Sequence, residues 1–125
     1  MIAFTMIGTN DLKKAAAFYD ALIGEMGGKR AVDLGDAILY GGPDGGPLFA
    51  ITEPADGKPA SVGNGTMVSL AAPDDASIDR WHAKALALGA EDMGAPGARE
   101  RGPLTFYAAY FRDPDGNKLN FFRLH

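Results

Sequence analysis

The chain has 125 residues, 46% of them apolar and 22% charged, a balance that fits one globular domain with material for a hydrophobic core. The net charge of −4 comes with no basic patch, which argues against nucleic acid or an anionic membrane surface as a partner. Without cysteine there are no disulfides, thiolate metal sites or cysteine nucleophile; with no membrane-length apolar run and no leader pattern, the expectation is a cytoplasmic protein.

Taken in order, Ile2 to Gly8 predicts a short strand, with Phe4, Met6 and Gly8 on one face and Ala3, Thr5 and Ile7 on the other. Thr9-Asn10-Asp11 marks a helix start with Asn10 as the cap. Leu12, Ala15, Ala16, Tyr19, Leu22, Ile23 and Met26 then follow at helical spacing, and Gly27-Gly28 ends the run. Strands are expected at Arg30 to Leu34, Ala37 to Tyr40 and Leu48 to Thr52, the last two joined by a Pro43-Asp44-Gly45 turn. Glu53 to Gly63 has Pro, Gly and Ser but no periodicity, and reads as a linker.

The pattern then restarts. Gly65 to Ala71 predicts a strand, and Asp74 caps a helix whose buried face carries Ile78, Trp81, Ala85 and Leu88. Glu91 to Ala95 reads as a short strand and Pro96 to Pro103 as a loop. Leu104 to Phe111 and Lys118 to Leu124 are strands joined by a second Pro-Asp-Gly turn at Pro114. Phe4 to Met67 and Phe18 to Trp81 both span 63 residues, and Pro43 to Pro114 spans 71. The sequence is therefore an internal repeat of a β-α-β-β-β unit: module one 1–53, linker 54–63 and module two 64–125, with Pro96 to Pro103 as an insertion.

Two stretches, Gly8-Thr9-Asn10-Asp11-Leu12 with Phe18-Tyr19 and Arg112-Asp113-Pro114-Asp115-Gly116-Asn117, resemble the vicinal oxygen chelate superfamily of glyoxalases, bleomycin-resistance proteins and dioxygenases. The resemblance implies an α+β fold of two βαβββ modules, with curled mixed sheets forming an incomplete barrel around a ligand cavity. It also implies a homodimer. Enzymes of this family hold a divalent metal with ligands from the first and last strand of each module. The matching positions here are Phe4 and Met67 on the first strands and Phe49 and Asn120 on the last. None is a usual ligand for a hard cation, since Phe has no lone pair, Met is soft and Asn offers one neutral carbonyl. No metal and no cofactor are therefore expected.

Phe4, Phe49 and Met67 either fill the interior as core or line an apolar cup for a flat organic molecule. The cup is preferred because the implied fold is concave there and Gly8 leaves space. Met6 and Phe122 belong to the same expected lining, with Asn120 as an orienting hydrogen-bonding group. Tyr107 and Tyr110 face opposite ways on one strand, so only one can reach the ligand. Arg99, with Arg101 beside it on the insertion, either points into solvent or meets a ligand carboxylate or phosphate. His82 reads as half-exposed and structural rather than catalytic, and His125 as a disordered terminus unless a dimer holds it. No catalytic residue is assigned. The function expected is metal-free binding of a small hydrophobic or aromatic molecule, with a glyoxalase-like lyase or isomerase, or a dimerising scaffold, as the alternatives.

Overall fold

The computed structural model describes residues 1–125. They form two compact units, Met1–Gly63 and Asn64–His125. Each is a β-α-β-β-β unit with one open, four-stranded mixed sheet and one helix packed on a single face, an α+β architecture.

The first unit comprises β1 (Phe4–Gly8), α1 (Leu12–Glu25), β2 (Lys29–Asp33), β3 (Ala37–Gly41) and β4 (Leu48–Thr52). The sheet order is β1-β4-β3-β2, with β1 parallel to β4 and the other pairs antiparallel. The cap of α1 is Asp11, not Asn10: its carboxylate accepts the Lys14 amide at 3.0 Å. Asn10 is engaged elsewhere. Its side chain accepts the Ala60 amide at 2.6 Å and donates to the Ala60 carbonyl at 3.1 Å, fastening the segment after β4 to the start of the helix. The helix ends at Gly27, whose φ of 86° is the left-handed conformation that glycine adopts without a Cβ clash.

Against the sheet, α1 buries Ala15, Ala16, Phe18, Tyr19, Leu22 and Ile23. The centre is an aromatic cluster in which Tyr19 lies 4.9 Å from Phe49 and 6.4 Å from Tyr40, centroid to centroid. Each such ring contributes about 2–3 kcal/mol through area removed from water.

The second unit comprises β5 (Val68–Ala71), α2 (Asp75–Ala87), β6 (Glu91–Arg101), β7 (Leu104–Arg112) and β8 (Lys118–Leu124), in the sheet order β5-β8-β7-β6. Asp74 caps α2 through the Ser77 amide at 2.7 Å, as its position predicts. Trp81 packs 5.6 Å from Phe121, and Phe111 stacks 5.1 Å from Phe121.

The expected loop from Pro96 to Pro103 is a strand. β6 runs through it as an edge strand paired to β7, with irregular register between Asp92 and Gly97. Pro96 falls within that irregular stretch, where its missing N–H breaks no regular ladder bond. Only Gly102-Pro103 is loop: Gly102, at φ 56°, opens the two-residue turn between Arg101 and Leu104. The second Pro-Asp-Gly turn is braced by Asp113 rather than Asp115. Its carboxylate accepts the amides of Asp115 at 3.0 Å and Asn117 at 2.9 Å, and Arg112 donates to the Gly116 carbonyl at 2.8 Å.

Candidate functional site

Strand register decides which side chains share a face. In the first sheet Phe4 lies beside Leu48 and Met6 beside Ala50, whereas Thr5 lies beside Phe49. Phe49 packs on Tyr19 of α1, so Phe4 and Met6 occupy the opposite, helix-free face. They stand 49% and 45% exposed, with Leu39 and Ala50 as neighbours. Phe49 is thus helix-side core, 7% exposed, and does not share a face with Phe4.

The cause is one extra residue in the first turn. Gly45 and Gly46 both take positive φ there, whereas the second turn uses Gly116 alone. In register terms Ala50, beside Met6, is the counterpart of Asn120, beside Ser69. A slip of one position on a strand exchanges its two faces. Gly8 leaves no empty space either, because a Cβ there would sit 3.0 Å from the Ala60 Cβ.

In the second sheet Leu119 and Phe121 face α2, and Asn120 and Phe122 face away from it. Asn120 is 1% exposed, and its Oδ1 has no hydrogen-bond partner. A buried carbonyl oxygen left unsatisfied costs about 1–3 kcal/mol, so its retention calls for a reason. Tyr110 pairs directly with Asn120 across β7 and β8 and shares its face. Phe122 stacks on Phe106 at 5.1 Å beside them. Tyr107 turns the other way. Its hydroxyl donates to Asp79 of α2 at 2.7 Å, a bond that raises the phenol's pKa, so it is tied up away from this face. Met67 precedes β5 and is exposed.

Arg99 is not a solvated loop residue. Its guanidinium donates to the carbonyls of Ala95 at 2.8 Å, Gly97 at 3.1 Å and Ala108, bracing the irregular stretch of β6. It also lies 5.1 Å from the centre of the Tyr110 ring, and the Lys118 ammonium lies 5.6 Å from the same ring. Gly94 permits this approach, since a Cβ there would come within 3.2 Å of both Arg99 and Tyr110.

Both histidines depart from expectation. His82 is 4% exposed, and its Nε2 sits 3.2 Å from the Tyr110 carbonyl and 3.3 Å from Asp92. It falls one position past Trp81, where the helical face turned toward β7 is wider than the apolar stripe alone suggests. His125 is held rather than free, 2.9 Å from the Asp75 carboxylate and stacked on Tyr107.

A shallow concavity of about 500 Å³ lies between α1 and the strands of the first unit, lined in part by Leu12, Ala16, Asp20, Arg30, Asp33 and Ile38. Its central charges are already paired. Arg30 donates to both oxygens of Asp20 at 2.8 and 2.7 Å and to Asp33 at 3.1 Å, and Tyr40 donates to Asp20 at 2.7 Å. The bond from Arg30 chiefly holds the Asp20 carboxyl below its usual range. Burial and the bond to Asp20 push the Tyr40 phenol upward.

The resemblance to the vicinal oxygen chelate enzymes implies a divalent metal. No three His, Asp or Glu side chains gather as a cation site. On the helix-free face of the first sheet, Met6 and Ala50 offer one thioether; on that of the second, Ser69 and Asn120 offer one hydroxyl and one neutral carbonyl. Neither set suits a hard divalent ion.

No helix is long and apolar enough to cross a membrane. A comparison with curated proteins gives no match. Among solved structures, a glyoxalase/bleomycin resistance protein from Albidiferax ferrireducens T118 is 37% identical, with 98% of each chain covered and a TM-score of 0.89. A lactoylglutathione lyase from Agrobacterium tumefaciens is 23% identical over 98% of this chain and 92% of its own, with a TM-score of 0.69. A glyoxalase/bleomycin resistance protein/dioxygenase family enzyme from Burkholderia phytofirmans PsJN shares the fold at 14% identity and a TM-score of 0.76, with 98% of each chain covered. The family model described as Glyoxalase/Bleomycin resistance protein/Dioxygenase superfamily matches residues 1–121. With the paired β-α-β-β-β units, this match over nearly the whole sequence makes the chain a member of that superfamily.

Proposed function

We propose that this chain is a binding member of the superfamily that holds a small, largely aromatic molecule without a metal ion. The ligand lies on the helix-free face of β7 and β8, over Tyr110 and Phe122. The observation that carries the reading is the Oδ1 of Asn120, buried and without a partner, which a hydrogen-bond donor on the ligand would satisfy. Metal-dependent chemistry has no support in the donor set on either helix-free face. Assembly as a homodimer belongs to the same reading, supported by the exposed Phe4 and Met6 on the edge strand β1.

The test has two arms. Calorimetric titration with zinc and with nickel is expected to give no stoichiometric binding; one tightly held ion per chain would overturn the metal-free reading. A thermal-shift screen of flat aromatic compounds is expected to favour those bearing an N–H or O–H. A compound present at ten times its Kd stabilises by about 1.4 kcal/mol, a shift of roughly 5 °C in a chain of this size. If compounds with and without a donor shift the melting point alike, Asn120 is not the anchor.

A further inference from the structure

Asn120 accounts for one end of a ligand; the surroundings of Tyr110 bear on the other. Two cations lie against that one ring, Arg99 at 5.1 Å and Lys118 at 5.6 Å. Neither has an acidic partner: the ion pairs of the chain involve Arg30, Arg123, His82 and His125. Arg99 is also fixed. Three backbone carbonyls accept from its Nη1 and Nη2, which leaves Nε–H and one hydrogen on Nη2 without an acceptor. A guanidinium immobilised in this way has already lost its rotamer freedom, so an arriving anion meets a preorganised donor. Lys118 is two residues before Asn120 on β8, and alternation along the strand puts both on the helix-free face.

We infer that this face selects a flat heteroaromatic acid that also carries an N–H or O–H: its carboxylate meets Arg99 and Lys118 beside Tyr110, and its donor meets Asn120 Oδ1. The inference rests on the preceding reading that a ligand occupies this face, and adds the ligand's charge. The two contacts are complementary in kind. The cationic end supplies attraction that salt screens, and the buried oxygen supplies a directional bond that salt does not. A neutral ring would leave both cations unpaired. An acid lacking a donor would leave the Asn120 oxygen orphaned.

Three matched probes separate these contributions: indole-3-carboxylate, 1-methylindole-3-carboxylate and indole-3-carboxamide. Each is titrated into the full chain at low ionic strength, and binding is followed through amide shifts of β7 and β8. Indole-3-carboxylate is expected to bind about tenfold more tightly than either of the others. Raising the salt to about 0.5 M should remove most of its advantage over the carboxamide and leave its advantage over the methylated acid. Lys118→Gln, at a partly exposed position, should weaken the acid about threefold and leave the carboxamide within twofold. Arg99→Gln would reduce the same preference, but it also unbraces β6, so the lysine variant is the decisive one. Equal affinity for acid and carboxamide overturns the inference while leaving aromatic binding intact. Shifts confined to other elements, or none with any probe, overturn both readings.

Discussion

Replacing Asn120 with leucine sets stability against binding. Leucine reproduces the branched outline of asparagine at the same strand position but carries no buried oxygen. In the free chain the unpartnered Oδ1 costs about 1–3 kcal/mol, and the slightly larger methyl groups return part of that as crowding. The net expectation is a gain of about 1–2 kcal/mol. Unfolding entropy near 2.1 cal/mol/K per residue gives roughly 260 cal/mol/K for this chain, so the melting point should rise by about 4–8 °C. Urea denaturation should show a higher midpoint at unchanged slope, because the area exposed on unfolding hardly changes. The same variant should lose the preference for ligands with a donor, the pattern of a residue kept for function at the expense of stability. A loss of more than about 1 kcal/mol on Asn120→Leu would refute the reasoning. It would mean that the amide is bonded within the fold and that the site has no vacant acceptor.

Three further predictions concern the scaffold. Gly28→Ala would place a Cβ 2.5 Å from the Gly41 carbonyl oxygen and 2.7 Å from the Ile23 Cγ2, so chemical denaturation should show a loss of about 1–3 kcal/mol. Gly24→Ala, inside α1 with nothing within 4 Å, should instead gain about 0.5–1 kcal/mol by helix propensity; a loss there would contradict the open surroundings. Asp20 is held below its ordinary pKa mainly by Arg30, so its contribution is present above the unfolded carboxylate range and fades as pH falls through the lower folded value. Both partners are more than a third exposed, which limits that contribution to about 1 kcal/mol. The stability gap between the native chain and Asp20→Asn should therefore be open at pH 7 and close once the pH falls below the lowered folded value. A gap that persists in acid would show that packing, not charge, is what the substitution removes.

The fold was legible because its signals are local. Glycines at Gly27 and Gly89, the Asp74 cap and the two Pro-Asp-Gly turns mark ends that local chemistry alone imposes. Apart from the α1 cap, which falls on Asp11 rather than Asn10, what departs from expectation depends on pairing. Pro96 and its neighbouring glycines look like loop from composition, yet β7 offers a partner edge that holds them as strand. Equal spacing from the two turns pairs Phe49 with Asn120, but an additional glycine at Gly46 shifts the count by one and turns the side chain toward α1. Tyr107 and Tyr110 could be assigned to opposite faces from alternation. Which of them met the helix needed Asp79 in place. The carbonyl bracing of Arg99 has no local signature at all, since its acceptors lie on a strand that composition had hidden.

The two units share a plan, yet their helix-free faces have diverged, and the divergence bears on function. On the first sheet that face holds Phe4, Met6, Leu39, Leu48 and Ala50, an apolar set that any neighbouring apolar surface would satisfy. On the second, the equivalent positions carry Ser69, Asn120, Tyr110 and Lys118, with Arg99 against the tyrosine ring. If both faces served only as packing surfaces, polar groups in the second would be a cost without compensation, and substitution toward the apolar pattern of the first would be favourable. Ala50 shows that the scaffold accepts a small apolar residue at the register position of Asn120. Keeping an amide with a vacant oxygen there, between an exposed serine and a tyrosine flanked by unpaired cations, is therefore a property of the second unit's chemistry rather than a demand of its fold.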